Sequence, residues 1–531
     1  MELNLELRHL GWEHVGSTHL CGCAWLDGSR LDAAALDTAW KGLAFIDAVA
    51  LVQACDGHFA AVRQDNSGLT AVCDGIRSIP LFYSSSDDRH RLSDDPQRLA
   101  DGSDSRRFDD LSVAEFLMAG QVSNRYTLLP GVRQVQAGEA ILLPAGSGEI
   151  NRYRYFEFQH AEPFQDSREI VTERWDATLQ RVIERELEAI AGRTIALPLS
   201  GGRDSRLIAL MLKRIGYDNV ICYGYGQPGN DESVIAEQVA VRLGYRWEFV
   251  PYSNEQWCDW FCLPACQDLL RTASGMTSVV LLQDWPAVYE LQRQRRLPDD
   301  AVFMPGHSMD FLAGSHIPQD LLRRQVGTER LVDAIFRIQY SLWPLHRVYG
   351  FRDWTMSETA LEQQLRDKIR NTIAPGSHAA MAEAVSAFEC WDWQERQAKF
   401  IANSVRIYES LGFGWMLPFW EREVLAFWQC VPLEWRLDKQ FYDAYVIGLD
   451  DRLPAPLPSS VIGSFAKIAR SLGIFDSAKR AYVAMRKASV DRVYDHPLGW
   501  YGIVSRDRFR ELYTGDEEIY SFLALAQLRL L

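Results

Sequence analysis

The sequence predicts a two-part protein of mixed class: an α+β first third, followed by an α/β unit whose parallel sheet carries helices on both faces. Three observations carry this. Short apolar or alternating runs recur in the first third between Asp/Gly/Ser turns. Strand and helix patterns alternate from Thr194 onward. A glycine-rich turn stands where the first buried strand of that second part meets its first helix. With 531 residues and 47% hydrophobic composition, the chain can bury large cores, which excludes a disordered chain and a small disulfide-stapled scaffold.

In chain order, strands are expected at His58–Arg63, Leu69–Cys73, Pro80–Tyr83 and Ala140–Leu143, separated by turns such as Asp65-Asn66-Ser67-Gly68. A helix is expected over Ser112–Ala119, where Leu111, Val113, Phe116 and Leu117 share a face. From about Ser167 to Ala191 the pattern turns helical and charged, so the domain boundary is placed within 160–168, giving units 1–165 and 166–531. Then come a strand at Thr194–Leu199, a helix to Ile215, a strand at Val220–Tyr225, a helix at Asp231–Leu243 and a strand at Trp247–Val250. Another strand candidate, Ala301–Met304, ends at Pro305-Gly306, and the remainder reads as mostly helical, with amphipathic segments such as Glu423–Gln429.

Acidic side chains outnumber basic ones, 71 to 56, and the net charge of −15 argues against a dedicated nucleic-acid binder. A nucleotide substrate stays open, because backbone N–H groups hold phosphate inside acidic proteins. The N-terminus lacks a signal-peptide pattern, and no apolar run approaches the roughly 20 residues of a membrane span. The 10 scattered cysteines read as reduced thiols of a cytoplasmic protein. Cys21-Gly-Cys23 has no second pair to complete a zinc site. Cys258, Cys262 and Cys266 could share a helix face and read as buried small hydrophobes beside Trp257, Trp260 and Phe261.

The strongest chemical feature is Pro198-Leu-Ser-Gly-Gly-Arg-Asp-Ser205, between a buried strand and an amphipathic helix. Its two glycines let the backbone approach an anion, and the helix that follows offers unpaired N–H groups. Ser200 and Ser205 add hydroxyls, and Asp204 supplies a hard oxygen ligand for Mg²⁺. No Gly-Lys-[Ser/Thr] follows, so the loop is not a Walker loop.

Ser200-Gly-Gly-Arg-Asp-Ser205 resembles the pyrophosphate loop of the N-type ATP pyrophosphatases, which cleave ATP between its α and β phosphates. Three further stretches are similar to the asparagine synthetases among them: Tyr223-Gly-Tyr-Gly226 with Asp231-Glu232 and Ala240-Val-Arg-Leu-Gly244; Pro305-Gly-His-Ser-Met-Asp310-Phe-Leu-Ala-Gly314; and Leu417-Pro-Phe-Trp-Glu-Arg-Glu-Val424. In the N-terminal third, Gly57-His-Phe-Ala60, Asp74–Tyr83 and Leu128–Val135 look like a class II glutamine amidotransferase domain. The resemblance implies an Ntn-hydrolase-like αββα sandwich, degenerate in sequence, ahead of an adenine-nucleotide α-hydrolase-like domain. It implies ATP contacts at Leu199, Ser200, Gly201, Gly202, Asp204, Ser205, Tyr223, Gly224, Pro305 and Gly306, with Mg²⁺ on Asp204 and Asp310.

Two departures shape the expected chemistry. The amidotransferase nucleophile is an N-terminal cysteine, whereas residue 2 here is Glu2, so no intrinsic glutaminase activity is expected. His307 falls where asparagine synthetases have Glu and β-lactam synthetase has Tyr, a position associated with deprotonating the attacking amine; imidazole suits that role at neutral pH. A structural histidine bonded to backbone is the alternative. His316, six positions past Asp310, could line the same mouth. For the lysine that stabilises developing charge, Lys467 is the closest counterpart and Lys439 the alternative.

The expected reaction is AMP-forming, ATP-dependent amidation of a small-molecule or peptide carboxylate by ammonia or an amine, with a separate glutaminase one source of nitrogen. Uronic acid amidation in surface-polysaccharide synthesis is one substrate reading. Ring closure, as in β-lactam synthetase or lasso-peptide cyclases, is the second, and a catalytically dead scaffold is the reading from another class. Nucleic-acid partners and membrane insertion are not expected, and a homodimer is left open.

Overall fold

In the computed structural model, which describes all residues except 1, 8, 10, 87–88, 101–107, 147, 374, 450–474, 497–499 and 531, the first third is built on two facing β-sheets. The chain runs through β1 (Glu2–Glu6), β2 (Trp12–Val15), β3 (Thr18–Leu26), β4 (Ser29–Leu31), α1 (Ala33–Trp40), α2 (Phe45–Gln53), β5 (Asp56–Asp65), β6 (Gly68–Cys73), β7 (Phe82–Ser85), β8 (Arg89–Ser93), α3 (Asp110–Ala119), β9 (Val132–Gln134), β10 (Glu139–Pro144) and β11 (Asn151–Arg154). The larger sheet has the order β11-β10-β6-β5-β3-β2, with β4 paired to β3; the smaller is β1-β8-β7-β9. Ala60, Val62, Ala71 and Ile141 of the larger sheet pack on Leu81, Tyr83 and Leu92 of the smaller. On the other face, Leu20, Ala24, Phe59 and Ala61 meet Leu36, Trp40, Val49 and Val52 of α1 and α2. Successive residues of β5 thus point into two different cores, and that is why its centre, Phe59-Ala-Ala-Val62, is apolar without alternation.

The expected strand at Pro80–Tyr83 begins two residues later, because Pro80 has no N–H to give the ladder. Helix α3 ends at Gly120, whose left-handed φ of 76° closes the last turn. Its Val113, Phe116 and Leu117 join the large core shared with the second part of the chain.

That part opens with α4 (Arg168–Ile190), N-capped by the Ser167 side chain. β12 (Ile195–Pro198), α5 (Asp204–Ile215), β13 (Val220–Gly226), α6 (Asp231–Leu243), β14 (Arg246–Pro251), β15 (Val302–Phe303) and β16 (Gly414–Trp415) follow. The sheet order is β14-β13-β12-β15-β16, every pair parallel. From β12 the chain steps outward through β13 to β14 and then returns to β15, on the far side of β12. Right-handed crossovers therefore place α5 and α6 on one face and the helix Trp285–Arg293 on the other. β12 and β15 flank the point where strand order reverses, and loops leaving such a point open a crevice at the carboxyl ends of the strands.

One expectation is corrected. The chain breaks at Leu263-Pro264 between the helices Asn254–Cys262 and Pro264–Thr272, so Cys266 does not share a helix with Cys258 and Cys262. Cys266 is buried, but Cys258 and Cys262 are exposed rather than core hydrophobes; all ten cysteines are free thiols. Among the described residues, no helix is long and apolar enough to cross a membrane.

The second core centres on Trp175 of α4, whose ring lies 5.2 Å from Phe427 and 5.3 Å from Trp428, centroid to centroid. Trp175→Ala is expected to cost about 3–5 kcal/mol, the lost burial of a fully buried indole plus the cavity it leaves. Urea unfolding checks it; a loss under about 1 kcal/mol would show that the site collapses around the gap.

Candidate functional site

The loop after β12 turns back on itself through its serines. Ser200 N–H donates to Ser205 Oγ at 3.0 Å, and Gly202 N–H donates to Ser200 Oγ at 3.2 Å. The first turn of α5 begins directly beneath, with its positive dipole end toward the loop. The loop after β15 comes against it so closely that Gly306 has no room for a side chain: an added Cβ would sit 2.5 Å from the Ser205 nitrogen. Ser308 holds a left-handed φ of 70°, and its hydroxyl donates to Gln397 Oε1 at 2.7 Å.

Two carboxylates meet at this contact. Asp310 N–H donates to Asp204 Oδ2 at 3.1 Å, and Tyr442 O–H donates to Asp204 Oδ1 at 2.8 Å. Burial, then the charge of Asp310, pushes the Asp204 carboxyl up to about 7. Asp310 goes the other way. Burial opposes its charge, but His316 at 3.3 Å and the Phe311 N–H at 2.9 Å outweigh that and hold it far below the ordinary carboxylate range. His316 is clamped between Asp310 and the buried Asp392, 2.6 Å from its Nδ1; burial disfavours its charge, but these carboxylates raise it to about 10. It is a fixed cation, with no lone pair to spare for catalysis.

His307 sits beside the Gly306 turn with Nδ1 3.3 Å from Ser404 Oγ. Burial lowers it to about 4, against a small opposing effect of Asp310, so it is neutral at physiological pH. It can accept a proton there, but it is a weaker base than the ordinary imidazole expected from sequence.

These loops border a cleft of about 390 Å³ lined by Ser200, Gly202, Asp204, Ser205, Pro305, Gly306, His307 and Lys439, all singled out from sequence. Leu199 and Tyr223 lie beneath it: Leu199 N–H bonds the Tyr223 carbonyl, and the Tyr223 ring is fully buried. Gly201 is buried within the turn, and Gly224 lies against the Trp247 ring. Lys467 lies outside the described residues. Lys439 reaches the cleft from a strained bend, Asp438-Lys439, with successive φ values of 55° and 59°.

Sequence reading missed Asp284. Tyr223 and Tyr408 each donate to its Oδ2 at 2.7 Å, and burial raises it to about 6 against those two bonds. A carboxylate inside the run Val279-Val-Leu-Leu-Gln-Asp-Trp285 was the available signal. Tyr442 had none, because only tertiary packing brings it to Asp204.

The family model described as asparagine synthase matches residues 174–442, a span that contains both loops, Asp310, His307 and Lys439. No curated protein matches the chain.

Gly306→Ala is expected to push the two loops apart, weakening binding of magnesium pyrophosphate roughly tenfold or more (about 1.4 kcal/mol). Isothermal titration measures this. Unchanged affinity in a folded variant would show that the close approach does not shape the anion loop.

Proposed function

The chain belongs to the asparagine synthase family, and from that premise we propose that it activates a substrate carboxylate as an acyl-adenylate and passes it to ammonia or an amine. Membership makes it an enzyme of a C–N ligase family that uses ATP, an amide-forming ligase in general. The observation that carries the finer reading is the 3.1 Å bond from Asp310 N–H to Asp204 Oδ2, which joins a glycine-rich anion loop to a second carboxylate beside a neutral histidine.

ATP places its phosphates on the Ser200–Ser205 loop, where the serine hydroxyls and the α5 dipole favour negative charge. Asp204 and Asp310 suit Mg²⁺: both offer hard oxygens, and a dication would offset the burial and the Asp310 charge that raise Asp204. When bound, magnesium supplies neutralisation of the departing pyrophosphate. A carboxylate oxygen bonds the α-phosphorus as its bond to the β-phosphate bridging oxygen breaks. The amine then bonds the acyl carbon, its proton passes to His307, and AMP leaves with the electrons of the acyl C–O bond. Lys439 at the rim offers a cation to the developing charge; Lys467 is the alternative.

The first 165 residues are proposed as an amidotransferase-like sandwich, supported by the facing sheets and the α1/α2 layer. Glu2 stands where that chemistry requires a cysteine, so nitrogen comes from ammonia, a separate glutaminase or the substrate itself. Amidation of a uronic acid is the substrate reading carried forward; it rests on the resemblance.

Asp204→Ala should abolish carboxylate-dependent exchange of pyrophosphate into ATP, and the wild type should release AMP. Release of ADP and orthophosphate instead overturns the adenylation reading. His307→Ala should keep that exchange while losing amide product by about 10²–10⁴-fold, as for a removed general base. Equal loss of both half-reactions in a folded variant assigns His307 to nucleotide binding. The pure chain should not release glutamate from glutamine; release above a heat-killed control refutes the reading of Glu2.

A further inference from the structure

His58, Glu186 and Glu421 form a second constellation, away from the cleft. His58 lies near the start of β5, Glu186 on α4, and Glu421 caps the helix Arg422–Gln429. The three side chains are at most 2% exposed, and one ligand atom from each lies within 4.8 Å of the others. His58 Nε2 is 3.7 Å from Glu186 Oε1, 3.8 Å from Glu421 Oε1 and 3.0 Å from the Leu417 carbonyl oxygen. We propose that His58 Nε2, Glu186, Glu421 and the Leu417 carbonyl hold one zinc ion, a structural centre tying the N-terminal sandwich to the ligase part.

The donor set and its state of satisfaction both point there. Among the described residues, neither oxygen of Glu186 has a hydrogen-bond partner, nor does Oε1 of Glu421. A fully buried carboxylate without donors calls for a directly bonded partner. Arg185 acts on Glu186 through its charge but does not bond it: its guanidinium lies on Glu421 Oε2 at 2.9 Å and on Glu423 Oε1 at 2.6 Å. A proton on His58 leaves both Glu186 oxygens without a donor, because the ring nitrogen is 3.7 Å away, beyond hydrogen-bond reach. A cation about 2.0–2.2 Å from each atom spans separations of 3.7 and 3.8 Å with an open angle between ligands. With one dication bound to both carboxylates, His58 is a neutral ligand. Four donors without an open position describe a structural zinc site, and imidazole with carboxylate suits zinc.

This inference is independent of the ligase reading. Wild-type chain grown with zinc and washed in excess magnesium is expected to retain about one equivalent of zinc by elemental analysis. Glu186→Gln and His58→Gln should lose it, and a chelator should lower the thermal midpoint of the wild type but not of the variants. Zinc-free wild type, or zinc retained equally in both folded variants, overturns the proposal. Should the variants fail to fold, cobalt(II) in the wild type decides. Strong visible bands of a four-coordinate ion support the site, and the faint bands of a hydrated ion refute it.

Discussion

Gly306 passes within van der Waals contact of the first turn of α5, and the organisation of the cleft follows from that contact. β12 and β15 are neighbours in the sheet, Ile195 opposite Val302, so the loops leaving their carboxyl ends start one strand spacing apart. For the second loop to reach the first, the backbone at 306 must carry no Cβ. Given that approach, Asp310 N–H finds Asp204 Oδ2, and two carboxylates from segments about a hundred residues apart face one site. Burial first, and then the charge of Asp310, raises Asp204, while His316 and the Phe311 N–H hold Asp310 low, so the pair separates into a raised and a lowered member.

What decides which carboxylate is raised lies one layer further out. Asp310 has His316, which Asp392 in turn holds at 2.6 Å from the other ring nitrogen. Asp204 is bonded by the Tyr442 hydroxyl and the Asp310 N–H, both neutral donors, and Lys439 acts on it through its charge without a bond among the described residues. The asymmetry therefore comes from where the nearest cation is fixed. His307, three residues from Asp310, has only a hydroxyl beside its Nδ1, and burial holds it low against the small opposing effect of Asp310.

The two parts of the chain meet through buried polar groups as well as apolar ones. Lys399, in the π-helix Trp393–Ile401, donates to the Asn124 carbonyl at 2.7 Å and to Glu395, while Glu395 accepts from Asn124 N–H at 2.8 Å. Trp393 donates to the Gly75 carbonyl at 2.9 Å. Glu115 of α3 binds Tyr340 at 2.6 Å and Lys368, tying the same helix to the C-terminal helices. Such networks are costly to leave half-made, so they fix one docking of the parts where apolar packing alone would tolerate several.

The sequence by itself determined the local order of the second part. The strands at 195–198, 220–226 and 246–251, the helix Asp231–Leu243 and the serine-glycine loop all follow from periodicity, caps and turn residues within a few positions of each other. It also marked most of the cleft lining, because anion loops need glycines and hydroxyls in sequence. It did not announce α1 and α2, only eight and nine residues long, or the two-residue strand β16, which exist because a sheet face or edge needed covering. It named His316 without its partner Asp392 and passed over Asp284 and Tyr442. It also treated His58 and Glu421 only as parts of motifs. Only the tertiary structure decided those roles, since protonation and ligation depend on which charges lie within a few ångströms, and chain separation says nothing about that distance.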